Sequence, residues 1–369
     1  MRRTPGDAKI LAGRTGRARF DDAQSMMDRV LRDWTQECFQ ISPGPGSGQH
    51  LFVETEGLRL DASHWSTGVL IRGEGAPESV CIGLVDGDPA PVRFRGRPVA
   101  PARIPLVQSA VEFEFASVMP TAALVLTIDR TVFQRHANAM WGRELAPGAA
   151  YMLALSGIDQ GLVLVQRLKA MLAVLHEQSC YLASPRIAAL ATDKILSELL
   201  ASAVMDPQRV VLPHRHHLAR DAAAYLRAVT DQPVSIRRLC ELLDVNWRTL
   251  DQGFLELYGV TPKAYMRVAR LHHVRRALSA ADPADRTVTD IAVSWGFFQL
   301  GRFAVEYRRL FGEKPSDTLW KRKTGSRDAD GSGRSNDVPI PHSRQSRRLD
   351  MIVSKRRSAD DADTTEGTT

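Results

Sequence analysis

The sequence predicts an α+β protein. Its N-terminal half is β-rich and closed by a pair of helices, and its C-terminal domain is all-α, built from two copies of one motif. Three observations carry this. Short β-prone runs divided by Gly, Pro and Asp fill residues 50 to 128. The apolar period then becomes helical. Finally, "SWGFFQLGRFAVEYRRLFGEKP" (Ser294 to Pro315) is a looser repeat of "LLDVNWRTLDQGFLELYGVTP" (Leu242 to Pro262).

Taken in order, residues 1–19 are Gly- and Arg-rich and are expected to be disordered. Residues 20–40 ("FDDAQSMMDRVLRDWTQECF" and Gln40) pattern as an amphipathic helix. The runs "HLFVET", "GLRLDASHW", "TGVLIRG", "SVCIGLV", "PVRFRG" and "VEFEFASV" predict the strands of a sandwich or small barrel. "VEFEF" alternates with period two, as a half-buried strand does. In "GLVLVQRLKAMLAVLHEQ", Leu164, Leu168, Met171 and Leu175 share one helical face, and "RIAALATDKILSELLASAV" is a second such helix. These two stripes can pack on the β-domain or pair between subunits. The first folded unit is thus expected over 20–206, with a linker at 207–216. The three histidines of "PHRHH" there lack an acidic or Cys ligand nearby, so they read as a polar helix start and not a metal site. Residues 217–323 are helical, and 324–369 form a Ser/Arg/Asp-rich tail expected to be disordered.

Composition narrows the function classes. The chain has 369 residues, of which 44% are hydrophobic, with no apolar run long enough for a membrane span or a signal peptide. Its four cysteines (Cys38, Cys81, Cys180, Cys240) lie far apart, which fits reduced thiols in a cytoplasm. The net charge is +7 and is concentrated. Residues 214–323 hold 19 Lys/Arg against 12 Asp/Glu, while the rest of the chain holds 30 of each. A local basic excess is the footprint of a polyanion binder.

The excess sits on the repeat. Aligned, Leu239 matches Ile291, Cys240 matches Ala292, Leu250 matches Phe303, Phe254 matches Tyr307, Gly259 matches Gly312 and Pro262 matches Pro315. Each copy (236–258 and 288–311) reads as helix, tight turn, helix. Asp244 and Gly296 occupy the turn, where φ > 0 is needed. Asn246 is a natural N-cap, and Thr287 with Asp290 resembles a capping box. Gly259 and Gly312 sit where helix C-caps belong. Between the copies, "TPKAYMRVARLHHVRRALSAA" starts with an N-cap Thr261 and Pro262 at the first helical position. About 18 helical residues span about 27 Å. That suits two recognition helices in successive major grooves, about 34 Å apart on one face of B-DNA.

The motifs "RTLDQGFLELYGVTPKAYMRVARLHHVRRAL" and "IAVSWGFFQLGRFAVEYRRLFGEKPSDTL" resemble the two signatures of the AraC/XylS family of bacterial transcription regulators. By texture, the β-rich region with its two helices is similar to the cupin-like sensory and dimerisation half that many members carry. The resemblance implies double-stranded DNA as partner, a homodimer, RNA polymerase contact, control by a small-molecule effector or a partner protein at the N-terminal β-domain, and no cofactor. It also implies base reading by Arg248, Asp251 and Gln252. Leu250, Phe254 and Leu257 point to the core, which exposes Trp247, Arg248, Asp251 and Gln252 at the reading end of the first recognition helix. Arg suits guanine, Gln suits adenine, and Asp can accept from cytosine. Asp251 has an alternative role as a helix-start acid, and Trp247 an alternative role in packing. In the second helix, Gln299, Leu300 and Arg302 are the corresponding residues, with Arg308 and Arg309 on phosphates. Val305 stands where members often place a polar residue, and Glu306 is expected to face away from phosphate or to meet a base. Lys263, Arg267 and Arg270 share one face of the spacer helix and suit the DNA backbone.

Two other classes compete. A metal-dependent cupin-type enzyme would need clustered histidines, and residues 50–140 offer only His50, His64 and His136. No nucleophile elbow or P-loop occurs, so no catalytic residue is assigned and the chain reads as a non-enzyme. A non-specific architectural DNA binder would have no use for the large N-terminal half.

Overall fold

Antiparallel pairing organises the N-terminal half of the computed structural model, which describes residues 13–22, 35–87, 92–100, 102–142, 144–228 and 234–325. The chain divides into two compact units, residues 1–38 with 46–211 and residues 39–45 with 212–369. The first contains an eight-stranded sheet. From edge to edge it runs β1 (Arg14–Phe20), β3 (Gly48–Thr55), β4 (Leu58–Trp65), β11 (Thr121–Asp129), β6 (Ser79–Asp86), β9 (Arg103–Gln108), β12 (Ala150–Leu155) and β13 (Ala203–Arg209). A five-stranded sheet runs β2 (Thr35–Gln40), β5 (Val69–Glu74), β10 (Glu112–Ser117), β7 (Val92–Phe94) and β8 (Arg97–Pro98).

Strand alternation sends the two faces of the larger sheet to two different cores. Leu124, Leu126 and Ile128 of β11 join Leu60, Ile82 and Leu106 under three helices: α1 (Arg130–Trp141), α2 (Ile158–Glu177) and α3 (Pro185–Ser202). Ala123 of β11 turns the other way. It meets Trp65, Cys81, Phe94 and Phe113 between the two sheets. The apolar stripe of α2 is consumed in the first core, where Leu164 and Leu168 are buried.

Several expectations change. Residues 14–19, expected to be disordered, form β1 together with Phe20, where the helix was expected to start, paired in register from Arg14 opposite Glu54 to Phe20 opposite Gly48. The expected helix over 20–40 does not extend to its C-terminal end, because residues 35–40 are strand β2; residues 23–34 lie outside the described residues. "VEFEF" is not half-exposed. Glu114 is buried, on a strand paired on both sides. The linker expected over 207–216 is shorter, because β13 runs to Arg209 and helix α4 (His214–Ala228) has already begun at His214. The tail after residue 325 lies outside the described residues.

The second unit is helical. It continues with α5 (Ile236–Leu243), α6 (Trp247–Tyr258), α7 (Pro262–Ala280), α8 (Val288–Ser294), α9 (Leu300–Phe311) and α10 (Pro315–Gly325). The first helix-turn-helix is α5–α6, the second is α8–α9, and α7 joins them.

Candidate nucleic-acid interface

Local chemistry starts and stops each helix of the interface. Ser235 caps α5, accepting from the Arg238 amide. Asp244 ends it in the left-handed region at φ 50°. Asn246 caps α6 by accepting from the Thr249 amide. Gly259 closes it at φ 73°, where a side chain would be strained. Thr261 caps α7 with Pro262 following, and Thr287 with Asp290 forms the capping box of α8. Gly296 makes the second turn at φ 78°.

The matched apolar positions form two small cores. In the first, Phe254 stacks edge-on against Tyr258 and Tyr265, both at 5.3 Å. Arg215 and His216 of α4 clamp α6 by donating to Glu256, at 2.6 and 2.8 Å. Arg215, His216 and Gln252 hold the Glu256 carboxyl down at about 2 against the opposing effect of burial. In the second core, Phe303, Tyr307 and Phe311 succeed one another along α9, and Trp295 lies flat on His273 of α7 at 4.6 Å. Cys240, expected at a close helix approach, is only half-buried, whereas its counterpart Ala292 is fully buried.

Trp247, at 63% exposure, does not take the packing alternative. Arg248 and Gln252 are exposed beside it and Asp251 is half-exposed. Gln252 donates to Glu256 at 3.0 Å, so its amide is already engaged. On the second helix Gln299, Leu300 and Arg302 are exposed at the N-terminal end, and Arg308 and Arg309 at the other end. Extending the alignment pairs Arg248 with Gly301 and Gly253 with Glu306. The second unit therefore has no counterpart to the Arg248 guanidinium. Val305 is exposed on the same surface.

The spacer-helix cations differ among themselves. Lys263 is exposed and makes no ion pair among the described residues. Arg267 donates to Glu306 through Nε at 2.6 Å and through Nη2, so its guanidinium is already engaged. Arg302 donates to the same carboxylate at 2.8 Å. Glu306 thus turns toward the cations of α7 and α9. Arg270 lies over the Phe297 ring at 5.6 Å, and burial together with the Arg267 charge lowers its pKa.

Phe298 was missed. It is the most exposed large apolar side chain among the described residues, at 76%, in the turn that delivers Gln299. The signal was "GFFQL": Phe297 packs on Phe303 at 5.0 Å, which leaves the adjacent Phe298 no core to enter. The histidines of the rival enzyme reading do not converge. His50 faces inward near Asp61 (3.1 Å) and Ser63, His64 faces the opposite side of the sheet, and His136 pairs with Asp193 on α3. Among the described residues no three His, Cys, Asp or Glu side chains gather as metal ligands, and no helix is long and apolar enough to cross a membrane.

Two helix-turn-helix units joined by one helix, each with its recognition helix open to solvent, define a tandem helix-turn-helix DNA-binding domain. Residues 239–320 match the family model described as "Helix-turn-helix domain". The chain is 32% identical over 217 residues to the "Probable thc operon regulatory protein" of Rhodococcus erythropolis, covering 56% of this chain and 63% of that protein. It is 46% identical over 92 residues to "XylDLEGF operon transcriptional activator 3" of Pseudomonas putida, covering 25% and 28%. The match thus spans less than two thirds of either relative. A solved structure of a probable AraC family transcriptional regulator from Rhodopseudomonas palustris CGA009 is 36% identical, over 28% of this chain and 94% of that one, at a TM-score of 0.26. Through its helix-turn-helix domain the chain is similar to transcription regulators of the AraC/XylS type.

Proposed function

We propose that the protein is a sequence-specific DNA-binding transcription regulator, without enzymatic activity of its own, that acts in the cytoplasm. It reads two adjacent major grooves, the first with Trp247, Arg248, Asp251 and Gln252 and the second with Gln299, Leu300 and Arg302. Lys263, Arg267, Arg270, Arg308 and Arg309 serve the backbone. The observation that carries this is the 19-residue helix α7, about 28 Å long, joining two units with exposed recognition helices. Arg248 is the strongest base reader, because it is exposed at the N-terminal end of α6 and no carboxylate among the described residues engages it.

Control by a small effector in the N-terminal unit completes the reading. A cavity of about 90 Å³ lies between the sheets, lined by Asp61, Trp65, Ile71, Phe94, Phe113 and Val125 among others. Trp65 is buried there, and its indole N–H meets no acceptor among the described residues. A buried donor without an acceptor is costly, and an effector carrying one acceptor on an apolar body would satisfy it. Exposed Leu162, Val163 and Val174 on α2 support a homodimer, and RNA polymerase is the expected partner at the promoter. An effector must bind two states of the protein unequally to switch it.

Selection of bound duplexes from a random pool, with and without cell extract, tests the reading. A recovered motif whose occupancy changes with extract is expected. Recovery of no motif would contradict it.

A further inference from the structure

Between α7 and α9 a cleft of about 440 Å³ is bounded by Lys263, Arg267, Arg270 and Arg302, with Phe297 at its base. One acid interrupts this cationic wall. Glu306 accepts from Arg267 Nε through Oε2 at 2.6 Å and from Arg302 Nε through Oε1 at 2.8 Å. Arg267 Nη2 closes a second contact to Oε1. One carboxylate therefore holds two guanidinium groups from two helices. Its side chain is 20% exposed. Burial works to raise its pKa, but the hydrogen bonds from Arg267 and Arg302 outweigh burial and keep it below the usual carboxylate range. It is thus an anion at neutral pH, set among the four cations of the cleft. The first unit has no equivalent, because the aligned position is Gly253, whose helix is crossed by α4.

We propose that Glu306 is a specificity-determining positioning residue of the DNA interface: it occupies the Arg267 and Arg302 guanidinium groups in the manner of a phosphate, so that non-specific backbone cannot take them. A carboxylate and a phosphate compete for the same forked donors. Backbone of arbitrary sequence must displace or share Glu306 to gain those two cations. A cognate site, engaging the recognition helices as well, supplies the additional binding energy that releases them. Specificity rises because the non-specific complex is weakened more than the specific one. This rests on the DNA-binding reading above.

The test measures affinity against salt for the full chain on a duplex from the selection and on a random duplex. Glu306→Gln keeps an acceptor for the arginines and removes the charge. It is expected to steepen the random-duplex salt slope by about 0.9, one phosphate contact, which raises affinity about fivefold at 0.15 M salt. Affinity for the selected duplex is expected to rise less, so discrimination falls. An unchanged slope, or an equal gain on both duplexes, would overturn the proposal. A second pair of variants is independent of how Glu306→Gln folds. In the otherwise unaltered chain, Lys263→Gln should flatten the random-duplex slope by about 0.9. Arg267→Gln should flatten it by much less, because its cation is already taken; equal flattening would overturn the proposal. Failure of the regulator reading looks different, since the unaltered protein would then not prefer the selected duplex at all.

Discussion

Gly253 and Gly301 give opposite predictions for one substitution. Both are helical glycines in recognition helices, and replacing such a glycine with alanine ordinarily gains about 0.5–1 kcal/mol. Gly301 follows this rule: a Cβ built there meets nothing within 4 Å. Gly301→Ala should therefore stabilise its unit by about 0.5 kcal/mol, the smaller figure applying because it lies in the first turn. Gly253 faces α4. A Cβ there runs into the carbonyl oxygen of Arg215 and lies 3.2 Å from its carbon and 3.3 Å from Ala219 Cβ. Backbone cannot swing aside as a flexible side chain can, so α4 and α6 must part by about 1 Å in a close-packed interior. Overpacking of this kind costs about 1–3 kcal/mol. After the propensity gain, the net loss is up to about 2.5 kcal/mol. Parting also stretches the clamp of Arg215 and His216 on Glu256 beside it. Amide hydrogen exchange of peptides covering α6 and α9 resolves the two effects within one chain. Faster exchange of α6 in Gly253→Ala and slower exchange of α9 in Gly301→Ala is expected. If α6 in Gly253→Ala were as protected as in the unaltered protein, the close α4–α6 approach would be refuted.

Three further outcomes follow from the same geometry. Arg248→Ala should cost about 1–3 kcal/mol on the cognate duplex and relax preference at one base pair; equal weakening on all sequences would reduce Arg248 to a phosphate contact. Glu256 has a folded-state pKa depressed to about 2 from an ordinary 4.5, so its clamp stabilises fully above about pH 4.5 and is lost as pH falls toward 2. The stability gap between the unaltered protein and Glu256→Gln, read by exchange of α6, should close across that window, and a pH-independent gap would contradict the sign. Asp244 holds φ 50° and ψ 53° without being glycine, so Asp244→Gly should be neutral or stabilise α5 by up to about 1 kcal/mol. Asp244→Val should destabilise it, and tolerance of valine in the same exchange measurement would count against the left-handed turn.

What the sequence makes legible here is what is decided locally. Asp244, Asn246, Thr261 with Pro262, Thr287 with Asp290, Gly259 and Gly312 each act within a few residues of their own position, and each takes the structural role its chemistry predicts. The repeat made the two cores readable as well, since Phe254 and Tyr307 match in type and in burial. Features set by distant partners were hidden. β1 reads as disordered because "RTGRARF" is basic and gains order only by pairing with β3, 28 or more residues away. The sequences of β11 and β12 lack a period-two pattern because their sheet is covered on both faces, which removes the alternation. The orientation of Glu306 depends on Arg267, 39 residues earlier in sequence. Charge composition marks residues 214–323 as the basic segment but does not show that one acid there engages two of the cations.

The central claim is that α7 holds two recognition helices in successive major grooves, and base-by-base interference on the selected duplex tests it most directly. Two clusters of sensitive base pairs are expected, with centres about 10–10.5 base pairs apart on one face, and Arg248→Ala should remove sensitivity at one base pair of one cluster and leave the other cluster unchanged. A single cluster, or loss of sensitivity in both clusters together, would contradict the account.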